Sequence, residues 1–340
     1  MEAFLQSLLN TAKRVASIVT DLQNRTHWGF LLCTLVLAMG LLAWSQAARI
    51  GLSKEGRRAE LQTILPTLFD RSIWLHDSAI VDYWCYIINA IVAGALKLAG
   101  AIASALTSIL LYQLLLRVAG EPLSLTAGPV ALAIYTPISL LWFDLAVYVS
   151  HFLSHRVQFL WEFHKVHHSA QVLTPVTFYR VHPLDFIFND LLSGVFAGVA
   201  GACGLFVFGG QIEPVTILGV NAGLFLLYAL GANLRHSHVW FAYPAWLSRI
   251  LISPAQHQIH HSSLPQHHDA NFGVHFALWD WMFGTLYVPK EREKIAFGLH
   301  EGEDREYQSV ENLYLLPFKK IWRRWFPHGE PRPEEQNALP

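Results

Sequence analysis

The sequence predicts an all-α fold: polytopic transmembrane helices with a helical cap on their cytoplasmic side. Three observations carry this. Of the 340 residues, 53% are hydrophobic and only 14% are charged, against roughly a quarter charged in ordinary soluble domains. The apolar residues gather in runs long enough to cross a bilayer as helices. Fourteen of the eighteen histidines fall between His151 and His275, clustered beyond the ends of those runs.

Residues 1–26 contain Glu2, Lys13, Arg14, Asp21 and Arg25, which interrupt the apolar core a cleavable signal needs. An amphipathic surface helix is expected there, with Phe4, Leu8, Leu9 and Val15 among its apolar residues. Residues 28–47, including Trp28 and Trp44, suffice for one span. Arg49, Lys54, Arg57, Arg58 and Arg71 then mark a polar stretch, which the positive-inside tendency places in the cytoplasm. Residues 83–118 are apolar apart from Lys97 and, at the very end, Arg117, and this run of 36 residues is too long for one ordinary span. It reads either as a tilted helix with an extension or as a hairpin broken near Lys97–Gly100.

Residues 127–150 form the next apolar run and end where the histidines begin. Residues 187–208 and 214–230 form a pair around the turn-prone Gly209–Pro214 segment, which predicts a transmembrane hairpin. A hairpin returns the chain to the side it left, so the histidines at 151–168 and 257–261 are expected on one membrane face. The chain becomes more charged from about Lys290, and Pro327–Pro340 reads as a disordered cytoplasmic tail.

The formal net charge is −1, and no basic stripe is interleaved with aromatics, so nucleic-acid binding is not expected. Cys33, Cys85 and Cys203 all lie in apolar stretches and no CxxC occurs. They read as small buried residues, which excludes a disulfide framework and thiolate metal chemistry.

The histidines carry the chemistry. His151 and His155 form HxxxH; His164, His167 and His168 form HxxHH; His257, His260 and His261 form a second HxxHH. Residues three and four apart share a helical face, so each cluster aims its imidazoles at a common point. A lone helical histidine is ordinarily structural. Burying three such clusters without a metal would leave donors and acceptors unmatched. Imidazole ligates iron, zinc, copper and nickel, and a tetrahedral ion takes about four ligands. Eight converging histidines therefore ask for two ions: a histidine-rich dimetal site in the cap.

The surrounding residues bring a resemblance. "DLAVYVSHFLSHRVQFLWEFHKVHHS", "FYRVHPLD", "SPAQHQIHHS" and "NFGVHFALWDWMFGT" resemble, in this order, the motifs of the fatty acid hydroxylase/sterol desaturase superfamily of integral-membrane di-iron oxygenases. The resemblance covers about residues 126–290. It implies a catalytic domain there, between an N-terminal amphipathic and transmembrane region (1–125) and a C-terminal cytoplasmic tail (291–340). It further implies two iron ions that use O2 and two electrons to attack an unactivated C–H bond. The implied ligands are His151, His155, His164, His167, His168, His257, His260 and His261. Further ligands in the family come from between the second and third boxes, where "NLRHSHVW" offers His236 and His238.

Supporting roles are expected of several neighbours. Asn233, three residues before His236, could orient a ligand or a water. Asp144 lies seven residues before His151, on the same helical face. It is expected to accept a hydrogen bond from a ligating imidazole or else to pair with Arg156 or Arg180. His275, Asp269 and Asp280 are candidate supports, unranked. His182, before Pro183, reads as a loop anchor or site support. His267 and His268 read as solvated.

The implied reaction is hydroxylation of a lipid that enters laterally from the bilayer: a sterol, fatty acyl chain, ether lipid or amino-lipid. Ser169–Tyr179 would lie beside the site and could shape the pocket. No GxGxxG in a strand–helix context, no iron–sulfur cysteine set and no flavin signature occurs, so an external electron donor is implied, a separate reductase or small carrier. Desaturation by the same boxes is the nearest rival. A metal transporter would place polar ligands inside its spans, and a zinc hydrolase would carry a glutamate base as in HExxH, which is absent.

Overall fold

The structure, a computed structural model, describes residues 19–49, 64–210 and 212–326, together with Gln6, Lys13, Ala16 and Ser17. Phe4, Leu8, Leu9 and Val15 of the expected N-terminal surface helix lie outside the described residues, as do Lys54, Arg57, Arg58 and the tail from Pro327. The described chain is mostly helical. It runs through α1 (Trp28–Arg49), α2 (Asp77–Leu96), α3 (Leu98–Ala119), α4 (Pro129–Arg156), α5 (Gln158–His168) and α6 (Pro183–Phe208). A two-stranded antiparallel turn, β1 (Thr216–Ile217) and β2 (Val220–Asn221), leads into α7 (Ala222–Ala229). The short α8 (Pro254–His260) and α9 (Leu278–Phe283) follow, and α10 (Val310–Trp325) closes the described chain.

α3, α4 and α6 are long and apolar enough to cross a membrane. Their outward faces carry bare hydrophobic side chains, with Leu110 66% and Val130 72% exposed, the surface expected of helices solvated by lipid. Without a hydrophobic drive between helices in lipid, close packing must come from small residues. α3 and α6 supply them at helical spacing. A Cβ on Gly194 would strike the Gly100 carbonyl, and one on Gly198 would lie 2.5 Å from the Ser104 carbonyl. The glycines let two backbones touch. Gly198→Val is therefore expected to overpack the α3–α6 contact, destabilise the protein by about 1–3 kcal/mol and lower its thermal midpoint in detergent.

The long apolar run at 83–118 is broken at Lys97. α2 ends at Leu96 and α3 starts at Leu98, with the Gly100 amide donating to Asp190 Oδ2 of α6 at 2.7 Å. α3 lies along α6 instead of folding back on α2. The expected hairpin needs a correction at its second limb. Residues 214–230 do not form a full span, because Leu218 and Gly219, both at positive φ, turn β1 into β2. Asn221 then caps α7 by accepting from the Gly223 and Leu224 amides. α7 has eight residues, a rise of only about 12 Å. The chain still returns: the Val215 amide bonds Thr136 Oγ1 on α4, and Ala232–His236 reaches the histidines.

α1 forms where a span was expected, yet it stays beside the 225–239 segment. Phe30 packs on Phe225 and Tyr228, and Ala38 joins Ile64, Leu68, Leu234 and Val239 in a buried cluster. Cys85 is buried as anticipated, but Cys203 is exposed on the outer face of α6. Among the described residues there is no disulfide.

Candidate metal centre

α4 delivers His151 and His155 on its last turns. The chain then straightens at Val157 (φ −93°, ψ 111°) and re-enters helix as α5, so His164 and His168 turn back toward them. The His155 ring lies 4.8 Å from that of His164 and 4.7 Å from that of His168, centroid to centroid. The third box sits on α8, whose start is fixed by a capping box: Ser253 Oγ accepts from the Gln256 amide, and Gln256 Oε1 accepts from the Ser253 amide. Gln258 Nε2 donates to the Ser237 and Val239 carbonyls. That ties α8 to the segment that follows His236.

The imidazoles converge in two groups, one of His151, His155, His168 and His260, the other of His167, His236, His257 and His261. Within each, the ligand-capable nitrogens lie within 4.8 Å of one another. α5 and α8 each serve both groups. The His164 ring lies 4.9 Å from that of His151 and 5.0 Å from that of His168, beside the first group.

These residues fit metal ions. His236 Nε2 lies 3.0 Å from His257 Nε2 and 3.2 Å from both His167 Nε2 and His261 Nε2. A neutral imidazole has one proton, so one N–H cannot satisfy three facing nitrogens. Nitrogens sharing one ion at ~2.1 Å sit about 3 Å apart. In the first group, Nε2 of His155 and His168 is buried with no hydrogen-bond partner, and so is Nε2 of His164. Burial first, then the His164 ring, pushes His167 down to about 3. Burial and neighbouring imidazoles likewise hold His168, His236, His257, His260 and His261 well below the ordinary histidine value. All stay neutral, the form that ligates metals.

Partners on the far nitrogens aim several rings. His151 Nδ1 donates to the Phe272 carbonyl at 2.7 Å, His260 Nδ1 to the Ala270 carbonyl at 2.9 Å, and His164 Nδ1 to Asp185 Oδ2 at 2.9 Å. Each bond leaves Nε2 facing the group, the usual outer support of a metal-bound histidine. Asp185 was not singled out by sequence reasoning, although the "HPLD" segment was read as site support. His182 caps α6 by accepting from the Leu184 amide, while its Nε2 donates to the Tyr314 carbonyl.

Other expected supports have different partners. Asp144 bonds none of the grouped imidazoles and neither arginine. It accepts from His275 Nδ1, the His275 and Phe276 amides and Trp279 Nε1, because its position on α4 faces the segment that runs from His275 into the first turn of α9. Asn233 exchanges hydrogen bonds with Arg25 instead of a histidine. His238 lies outside both groups with Nε2 donating to the Thr67 carbonyl, since the extended Ser237 (φ −151°, ψ 165°) aims alternate residues to opposite sides. Asp280 accepts from the Phe272 and Gly273 amides and from Thr285 Oγ1, bracing the loop whose carbonyls aim His151 and His260. Asp269 is exposed and pairs with Arg156. His267 is buried, contrary to the solvated reading, with Nε2 2.8 Å from Glu293 Oε2.

Residues 136–285 match the sequence model of the fatty acid hydroxylase family. The chain is 26% identical to ornithine lipid hydroxylase OlsE of Rhizobium tropici, over 46% of this chain and 43% of that protein. It is 28% identical to alkylglycerol monooxygenase of Danio rerio, over 56% of this chain and 38% of the relative. A putative Delta(7)-sterol-C5(6)-desaturase 2 of Arabidopsis thaliana is 27% identical over 47% of this chain and 53% of its own. The matches thus span less than half the length of the first two relatives. No solved structure matches the chain.

Proposed function

Because its histidine-bearing region belongs to the fatty acid hydroxylase/sterol desaturase superfamily, we propose that this chain is a membrane-bound di-iron monooxygenase that hydroxylates a lipid C–H bond. The balance is one C–H bond, O2, two electrons and two protons giving C–OH and water. The observation that carries the reading is the pair of adjoining four-histidine groups beside the C-terminal end of the apolar helix α4. An iron pair bound there supplies the oxidising power that an unactivated C–H bond requires. The chain's own residues do the rest.

The grouped imidazoles, with His164 and without His238, would hold the metals. Asp185 and the Ala270 and Phe272 carbonyls fix which nitrogen each ring presents. A cavity of about 300 Å³ between α3, α4 and α6, lined by Tyr135, Trp142, Phe143 and Phe196 among others, offers apolar room on the membrane side. Phe143 is eight residues before His151 on one helix, about 12 Å along its axis. This suits a lipid reaching the site from the bilayer.

The cytoplasmic placement rests on Arg49, Lys54, Arg57, Arg58 and Arg71. Thr67, close before Arg71, accepts from His238, which supports reading Arg71 on the same face as the site. Electrons would come from a separate reductase or carrier. Desaturation is the second reading, favoured by the sterol desaturase among the relatives.

The test is to purify the protein anaerobically in detergent, quantify iron and zinc, and supply reductant, O2 and a lipid extract. A product heavier by one oxygen is expected, while loss of two hydrogens would select desaturation. Stoichiometric zinc with no O2 consumption under any reductant would exclude both.

A further inference from the structure

Two arginines lie buried beside the second histidine group with no carboxylate paired to either among the described residues. Arg25 and Arg235 are 4% and 5% exposed. Both reach one oxygen: the Ala232 carbonyl accepts from Arg25 Nη2 at 2.7 Å and from Arg235 Nε at 3.1 Å. Arg25 Nε also donates to Asn233 Oδ1, and its guanidinium lies 4.1 Å from the Phe178 ring centroid. Among the described residues Arg25 donates only through Nε and Nη2 and Arg235 only through Nε; the remaining guanidinium nitrogens are unpaired but not wholly enclosed, and neither arginine forms an ion pair there. Asp144 acts on Arg235 electrostatically, but its oxygens are taken by His275, Phe276 and Trp279.

This is not how the chain treats a buried guanidinium elsewhere. Arg180, fully buried, is matched to Asp82 at 2.9 Å and to four further residues. A guanidinium stays charged in any protein, and two of them buried at one carbonyl repel each other. Cations in the adjoining histidine group would deepen that positive field. An oxyanion between the forks would relieve it, since guanidinium and phosphate or carboxylate match bidentately.

The surroundings select the source of that anion. Phe30, Phe225 and Tyr228 form an aromatic cluster, and α7, with Leu226 exposed on it and Leu230 exposed just past its end, leads from the apolar run to Ala232. A ligand here has an anionic head against the arginines and an apolar body along α7. We propose that Arg25 and Arg235 bind the phosphate or carboxylate group of a lipid and so anchor the substrate beside the metal centre. The substrate role rests on the function proposed above; the binding site stands without it.

The experiment uses the full chain in a neutral detergent, without O2 or reductant, and reads saturable binding by thermal shift. Phosphatidate is compared with diacylglycerol of the same chains, oleate with oleyl alcohol, and inorganic phosphate is run alone. One or both anionic lipids should bind about tenfold or more tighter than the neutral partner, and Arg235→Met should abolish that preference while metal content is retained. If Arg235→Met loses metal, Arg235→Gln, which keeps a donor for the Ala232 carbonyl, is read instead. Equal binding of anionic and neutral lipids overturns the proposal, as does an unchanged preference in the variant. Arg235-dependent binding of inorganic phosphate without binding of either anionic lipid would assign a free anion and overturn the lipid. Failure of the turnover assay would leave this binding result standing, and the reverse holds too.

Discussion

In a His236→Ala variant, bound metal is expected to fall from two equivalents to about one, with turnover lost. His236 Nε2 is the hub of the second group, within 3.2 Å of three other Nε2 atoms. Its removal would leave three imidazoles around an open position. Outer partners of metal ligands already cost about 10–100-fold in affinity when removed, and a direct ligand should cost more. Elemental analysis of the purified protein measures this, beside His238→Ala as control. His238 bonds Thr67 and faces neither group, so that variant should retain both equivalents. If His238→Ala loses metal and His236→Ala does not, the assignment of the pair is reversed.

That pair marks the limit of what periodicity could say. HxxxH and HxxHH are helical spacings, and α4, α5 and α8 present them as expected. "HSH" has no helical face, so both histidines stood equal until the extended Ser237 separated them. Apolar runs gave α3, α4 and α6 but not the length of α7, because a strand turn and a cap at Asn221 interrupt the run without a charge to mark them. Supporting carboxylates were harder still. Asp144 was chosen for sharing a face with His151, whereas the ring-aiming carboxylate is Asp185, 21 residues from His164 in sequence. Only tertiary packing joins those two. The positive charge at Arg25 and Arg235 was equally hidden, since residues 25 and 235 adjoin only in the fold.

Arg180→Ala is expected to be the most destabilising single change, because Arg180 carries the contacts that hold α5 in place. Its side chain and that of Asp82 are 0% exposed. The guanidinium donates to Asp82 on α2, to the Val166 carbonyl and Ser169 Oγ at the end of α5, and to the Tyr307 carbonyl. Removing one partner of a buried pair strands the other charge and costs about 3–5 kcal/mol. Asp82 would keep only Thr177 Oγ1 as a donor. Val166 and Ser169 flank His167 and His168, which belong to different histidine groups, so α5 would loosen where both groups depend on it. Thermal unfolding in detergent should drop by this amount, and metal should be lost from both groups together. The double variant Asp82→Leu/Arg180→Met separates charge from position. Without a stranded carboxylate it should recover much of the stability, yet its metal content should stay low, since an apolar pair cannot reach the α5 carbonyl. Full recovery of metal in the double variant would mean that packing alone positions α5, and the hydrogen bonds of Arg180 would then have no part in building the site.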